Sequence, residues 1–231
     1  MNASATAGLF IIGTDTGVGK TLATCAILLN LRGNKIDAVG FKPVVTGAAD
    51  GVWEDAEAIH LASGRCESLD ALCPLRFTLP LAPTLAATHD NLDADLTPAR
   101  QAFASLKRRH TFIVVEGVGG ALVPLDEKTL VLDFAVECGY PVLLLCRAAL
   151  GTINHTLLTL REIDRAGLML AGIVMNTTRE SDTERAEETR REIERIGRRK
   201  INVVLPYFST NVVEEAARCL RTAGVPPAGC K

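Results

Sequence analysis

The nine residues Gly13-Thr14-Asp15-Thr16-Gly17-Val18-Gly19-Lys20-Thr21 carry the clearest chemistry in the chain. Glycine backbones accept φ/ψ values that let several N–H groups converge on one anion. A helix beginning at this point adds unpaired N–H groups and the positive end of its dipole. Lys20 can then reach the β- and γ-phosphates of a nucleotide, and the Thr21 hydroxyl can ligate Mg²⁺. Five residues separate Gly13 from Gly19, one more than in the usual phosphate loop.

Other reactive side chains fall near the ends of apolar runs. Lys42, in Gly40-Phe41-Lys42-Pro43, either projects toward the same phosphate or is a solvated strand-end charge. Asp55 opens a helix candidate, where it is a first-turn carboxylate or a ligand for Mg²⁺. Glu116 directly follows the run Phe112–Val115 and is a loop carboxylate or a second ligand. Asn176 ends another run, as a turn residue or a reader of an adenine edge. Gly117-Val118-Gly119-Gly120 starts like a dinucleotide fingerprint, but Leu122 stands where the third glycine is needed. The histidines show no metal-binding spacing, and no G-x-S-x-G elbow is present, so nucleophilic hydrolysis has no support.

The elements that must position these residues read as alternating strands and helices. Leu9–Ile12, Ala38–Phe41, Thr111–Val115, Pro141–Leu145, Leu170–Met175 and Ile201–Leu205 are strand candidates, apolar throughout as in a parallel sheet buried on both faces. Between them Thr21–Leu31, Asp55–Ala62, Thr97–Arg108, Leu130–Glu137, Asn154–Ala166, Thr183–Ile196 and Val212–Thr222 have helical patterning. The expectation is a doubly wound α/β fold, its mostly parallel sheet covered by helices on both faces, forming a single domain over 1–231 with loose ends at 1–7 and 226–231. Cys66–Asp95 reads as irregular, with Pro74, Pro80 and Pro83 breaking any long helix. The charged stretch Arg179–Lys200 offers i,i+4 pairs at Glu187/Arg191 and Glu194/Arg198, as on a solvated helix face.

Composition narrows the function classes. A net charge of −2 and 4% aromatic residues argue against nucleic acid as a partner. No apolar stretch is long enough to span a membrane, and the first residues have no secretory pattern. The seven cysteines (Cys25, Cys66, Cys73, Cys138, Cys146, Cys219 and Cys230) form an odd set without a C-x-x-C pair. These features point to a reduced, cytoplasmic protein.

Taken together, the phosphate loop, Gly40-Phe41-Lys42-Pro43, Val115-Glu116-Gly117-Val118-Gly119-Gly120 and Leu150-Gly151-Thr152-Ile153-Asn154-His155 resemble the dethiobiotin synthase family in type, order and spacing. Val174-Met175-Asn176 and Leu205-Pro206-Tyr207 extend the resemblance, which spans residues 9 to 211. It implies a P-loop NTPase-like fold and a homodimeric ligase of biotin biosynthesis. The implied reaction joins 7,8-diaminononanoate and CO₂, with ATP and Mg²⁺, into the ureido ring of dethiobiotin. Carried onto this chain, the resemblance makes Lys42 the catalytic lysine, acting with Lys20 and Thr16. Gly17, Val18, Gly19, Lys20, Thr21, Leu22, Asp55, Glu116, Gly117, Val118 and Gly119 then surround the nucleotide phosphates. Asn176, Thr177, Pro206, Tyr207 and Asn211 resemble positions lining the nucleobase, and Thr21, Asp55 and Glu116 resemble the metal ligands. Thr16, Lys42 and Thr46 look like contacts to the diamine or its carbamate, while Gly151, Thr152 and Asn154 look like a helix N-terminus that holds the substrate carboxylate across the dimer.

One departure is visible: some members place a tyrosine in the late charged helix, where this chain reads Ala186-Glu187-Glu188-Thr189-Arg190-Arg191. Two other readings stay open. One is a P-loop synthetase of the cobyrinate amidation type, which usually carries a further glutaminase domain. The other is a partitioning-type ATPase switch, which usually has an additional lysine where Thr14 and Asp15 stand here.

Overall fold

The computed structural model describes residues 6–226. Its strands are β1 (Ala7–Gly13), β2 (Ala38–Phe41), β3 (Val44–Thr46), β4 (Leu75–Phe77), β5 (Phe112–Gly120), β6 (Val142–Arg147), β7 (Leu170–Asn176) and β8 (Val203–Leu205). The helices are α1 (Lys20–Gly33), α2 (Glu54–Ala62), α3 (Leu69–Leu72), α4 (Pro83–His89), α5 (Thr97–Arg109), α6 (Val131–Cys138), α7 (Thr152–Arg165), α8 (Thr183–Gly197) and α9 (Val212–Thr222). Six strands form one sheet in the order β2-β5-β1-β6-β7-β8, every pairing parallel, while β3 and β4 pair separately.

Alternation within the apolar strands explains why none reads as amphipathic. In β1, Phe10 and Ile12 join a core layer with Phe103, Phe134, Leu160 and Ile193. Leu9 and Ile11 join the opposite layer with Ala23, Ile27, Ala217 and Leu220. Helices α5 to α8 therefore cover one face and α1, α2 and α9 the other, so strand residues of both parities lose water. Helix α1 packs beside α9 on this face, where Asn30 donates to the Ala217 carbonyl at 2.7 Å.

Several elements differ from the sequence expectation. Strand β5 runs four residues past Glu116 to Gly120, with Gly120 paired to Gly13, so Glu116 lies inside a strand rather than after one. Strand β8 is shorter than expected because the Asn202 side chain accepts from the Ile173 N–H at 2.8 Å, taking over a ladder position. Cys66–Asp95 holds α3, β4 and α4, all short. Helix α7 starts at Thr152, two residues early, after Gly151 at φ 90°. Glu187 and Arg191 pair at 3.0 Å, but Glu194 binds Arg190 because Arg198 has left the helix at φ 52°. Ala7 belongs to β1 and Thr6 donates to the Lys107 carbonyl, unlike the loose end expected there. Residues 1–5 and 227–231, with the rest of that expectation and Cys230, lie outside the described residues.

Candidate active site

The carboxyl ends of β1, β2 and β5 open onto a cleft of about 700 Å³. One side is the phosphate loop, where Gly19 adopts φ 97° and hands the chain to α1. Thr14 N–H donates to the Leu145 carbonyl at 2.8 Å, fixing where the loop leaves the sheet. Lys20 folds back over it and donates to the carbonyls of Asp15 and Gly119 at 2.9 and 2.8 Å. On the side away from the cleft, Asn176 donates to the Val18 carbonyl at 3.1 Å. The loop is thus held from β5, β6 and β7 as well as β1.

Glu116 is the centre of the charge arrangement. It shares strand parity with Phe112 and Val114, which turns it toward α1, and it is fully buried. Its Oε1 accepts from Thr21 at 2.8 Å and from Lys42 Nζ at 2.6 Å, and its Oε2 accepts from Thr24 at 2.7 Å. Lys42, itself buried between β2 and β3, also reaches Asp55 Oδ2 at 2.5 Å. Two carboxylates and one ammonium therefore share a single point, with the Thr21 hydroxyl beside it. Trp53 ends the preceding loop, so Asp55 falls in the first turn of α2.

Environment separates the two lysines. Burial alone would drive Lys42 toward its neutral form, but Glu116 and Asp55 outweigh this and hold it above the ordinary lysine value. Lys20 is depressed to about 8, chiefly by burial, with Lys42 adding to the effect and Glu116, Asp55 and Asp15 only partly opposing it. Asp55 is pushed up by burial but drawn further down by the Lys42 charge and hydrogen bond, so its carboxyl sits below the usual range.

The remaining expected residues divide by position. Thr16, Gly17, Gly19, Lys20, Thr21, Lys42, Thr46, Asp55, Glu116, Val118 and Gly119 all line the cleft. Leu22 packs behind the loop, and Gly117 lies within β5 against Ile11 and Val131. Asn176 ends β7 and Thr177 follows it, Pro206 and Tyr207 follow β8, and Asn211 caps the start of α9, all outside this cleft. Gly151, Thr152 and Asn154 form the start of α7, also outside it. The opposite cleft wall is apolar, made by Val45 and Pro80–Pro83, and the sequence reading missed it. Trp53 Nε1 donating to the Phe77 carbonyl at 2.9 Å, with the β3–β4 pairing, holds this wall in place.

A divalent cation fits the donor set. Thr21, Asp55 and Glu116 supply hard oxygen ligands of the kind Mg²⁺ takes, phosphate and water completing an octahedral shell. The Lys42 ammonium already stands between the carboxylates as a resident cation, 2.5 and 2.6 Å from one oxygen of each. Among the described residues no group of three or more His, Cys, Asp and Glu side chains forms a metal site by itself.

The topology recurs in solved nucleotide-dependent proteins. The cell division ATPase MinD of Pyrococcus furiosus superposes with a TM-score of 0.58 at 15% identity, over 94% of this chain and 99% of that one. MinD of Pyrococcus horikoshii, solved with Mg-ADP, gives 0.57 at 17% identity over 91% and 86%. The α/β fold, a parallel sheet covered by helices on both faces, is P-loop NTPase-like. A family model described as an AAA domain matches residues 7–213.

Sequence relatives narrow the class. The ATP-dependent dethiobiotin synthetase of Anaeromyxobacter dehalogenans (strain 2CP-C) is 44% identical over 200 residues, covering 87% of this chain and 90% of the relative. That of Bacillus cereus (strain G9842) is 33% identical over 209 residues, covering 90% and 86%. The chain belongs to the ATP-dependent dethiobiotin synthetase family, a ligase family of biotin biosynthesis.

Proposed function

We propose that this chain closes the ureido ring of dethiobiotin from 7,8-diaminononanoate and CO₂ at the expense of ATP, with Mg²⁺ held by Thr21, Asp55 and Glu116. The observation that carries the reading is the meeting of Lys20, Lys42 and two carboxylates at the rim of the phosphate loop. In the first step an amine of the diamine adds to CO₂, losing a proton to give a carbamate. A carbamate oxygen then attacks the γ-phosphorus and ADP leaves, forming a carbamic–phosphoric anhydride. The second amine attacks the anhydride carbonyl carbon, loses its proton and expels phosphate, closing the ring. Bound Mg²⁺ supplies charge neutralisation at the phosphates.

The chain's own groups suit this sequence. Carbamate and γ-phosphate repel one another, so the protein must align them and offset their charge. Lys20 and Lys42 provide fixed positive charge near the transferring group, and the protonated state of Lys42 is secured by its carboxylate partners. The apolar wall of Val45 and Pro80–Pro83 suits the alkyl chain of the substrate and sheds water around it. Thr16 and Thr46 are the hydroxyls available to the carbamate. A second copy docking beside the start of α7 fits the family; Leu150 is fully exposed there, and Leu122 and Leu158 are exposed on the neighbouring groove.

The test is phosphate release coupled to mass detection of dethiobiotin. Release should require both diamine and bicarbonate. Compared with the wild type at a temperature where the variant is folded, Lys42→Ala should lower kcat by about 10²–10³-fold. Its melting temperature should be lower, because Glu116 and Asp55 lose the ammonium between them. Near-normal turnover in that variant would remove Lys42 from the catalytic groups. Release stimulated by DNA or liposomes without diamine would favour the ATPase-switch reading.

A further inference from the structure

Thr24 has no role in the reaction described above, yet it makes one of the shortest contacts to the buried carboxylate. It lies one helical turn after Lys20 on α1 and is fully buried. Its hydroxyl is 2.7 Å from Glu116 Oε2 and 2.9 Å from the Lys20 carbonyl. One proton cannot serve both acceptors, and an ionised carboxylate is the stronger. Glu116 has no solvent exposure, so no bulk water replaces that bond. Its two oxygens are thereby divided: Oε2 is committed to Thr24, and Oε1 faces Thr21 and Lys42.

We infer that Thr24 is a positioning residue which restricts Glu116 to one ligating oxygen and so favours Mg²⁺ over Ca²⁺ in the site. This rests on the reading that Thr21, Asp55 and Glu116 hold the metal. Mg²⁺ requires a small, near-octahedral shell, which single-oxygen carboxylates suit. Ca²⁺ accepts more ligands and chelates carboxylates through both oxygens. Without the Thr24 hydroxyl, Oε2 is released and Glu116 can turn both oxygens toward a larger ion.

Binding of a non-hydrolysable ATP analogue to the full chain, titrated calorimetrically in Mg²⁺ or Ca²⁺, reads this out. In Thr24→Val the half-saturating Mg²⁺ concentration should rise about tenfold while that for Ca²⁺ does not rise, lowering selectivity. Thr24→Ser restores the hydroxyl and should return selectivity to the wild-type value, which a purely steric role of the threonine methyl would not. Thr24→Ala supplies the same measurement where the valine variant does not melt cooperatively. An unchanged Mg²⁺/Ca²⁺ ratio in the folded variants overturns the inference. So does a serine variant as unselective as the valine one, or loss of cooperative melting in both valine and alanine variants. Wild-type binding of the analogue that ignores divalent ions instead overturns the metal reading, and this inference with it.

Discussion

Lys20 and Lys42 stand in one cleft with opposite shifts, and the difference is a matter of partners. Lys42 has two carboxylates within 2.6 Å, whereas Lys20 has only carbonyl acceptors. An arriving phosphate gives Lys20 the counter-charge it lacks and raises its pKa, so binding takes up a proton once the pH exceeds about 8. Nucleotide affinity should be flat below that pH and fall above it, by at most about tenfold per pH unit. Calorimetry between neutral and alkaline pH checks this, and a flat affinity across the range would contradict it. For the chain without nucleotide the sign is opposite. The folded value lies below the unfolded one, so the cost of burying the ammonium is fully present below about 8 and disappears as the pH rises toward 10.5. The phosphate loop and Lys42 were legible in residue types and in the family resemblance. Thr24 was not, because a threonine inside an apolar helix looks like any core residue, and only the strand opposite shows what its hydroxyl meets.

At the scale of elements, the start of α1 depends on a glycine whose dihedral and surroundings both disfavour a side chain. Gly19 has φ 97°, and a Cβ built there would stand 2.2 Å from Asn176 Nδ2. Gly19→Ala should cost about 1–3 kcal/mol of stability and weaken nucleotide binding, measured by chemical denaturation and calorimetry. Asn176→Ala removes the collision together with its hydrogen bond to the Val18 carbonyl. Gly19→Ala is therefore measured in that background, where dihedral strain should still cost stability; no further loss there would show that strain contributes nothing. The main strands and helices followed from apolar runs and their lengths. The short helices α3 and α4 escaped, as did two features of the strands. Strands β3 and β4 have three residues each, too short for a periodic signal. The end of β5 is glycine-rich and lies past the apolar run that marked the strand, although Gly120 pairs with Gly13 and keeps the strand going. Register decides Glu116: one residue earlier or later in β5, and the carboxylate would face the other core layer instead of α1.

For the whole molecule, strand order determines what meets. Residues far apart in the chain, Lys20, Lys42 and Glu116, come together because β2 and β1 flank β5 in the sheet. Pairing order of this kind is not encoded in any local stretch, which is why the sequence alone yielded the participants but not their distances. Within the cleft the formal charges of Lys20, Lys42, Asp55 and Glu116 sum to zero, with Lys42 bridging both acids. Self-repulsion between those acids is therefore already quenched by the polypeptide itself. Denatured protein diluted into buffer containing a strong chelator should regain its native far-UV spectrum and cooperative melt, whereas Lys42→Met should need added divalent salt to reach the same yield. The bridge would thus act as a folding scaffold before it acts in turnover, sparing the nascent chain any wait for an ion.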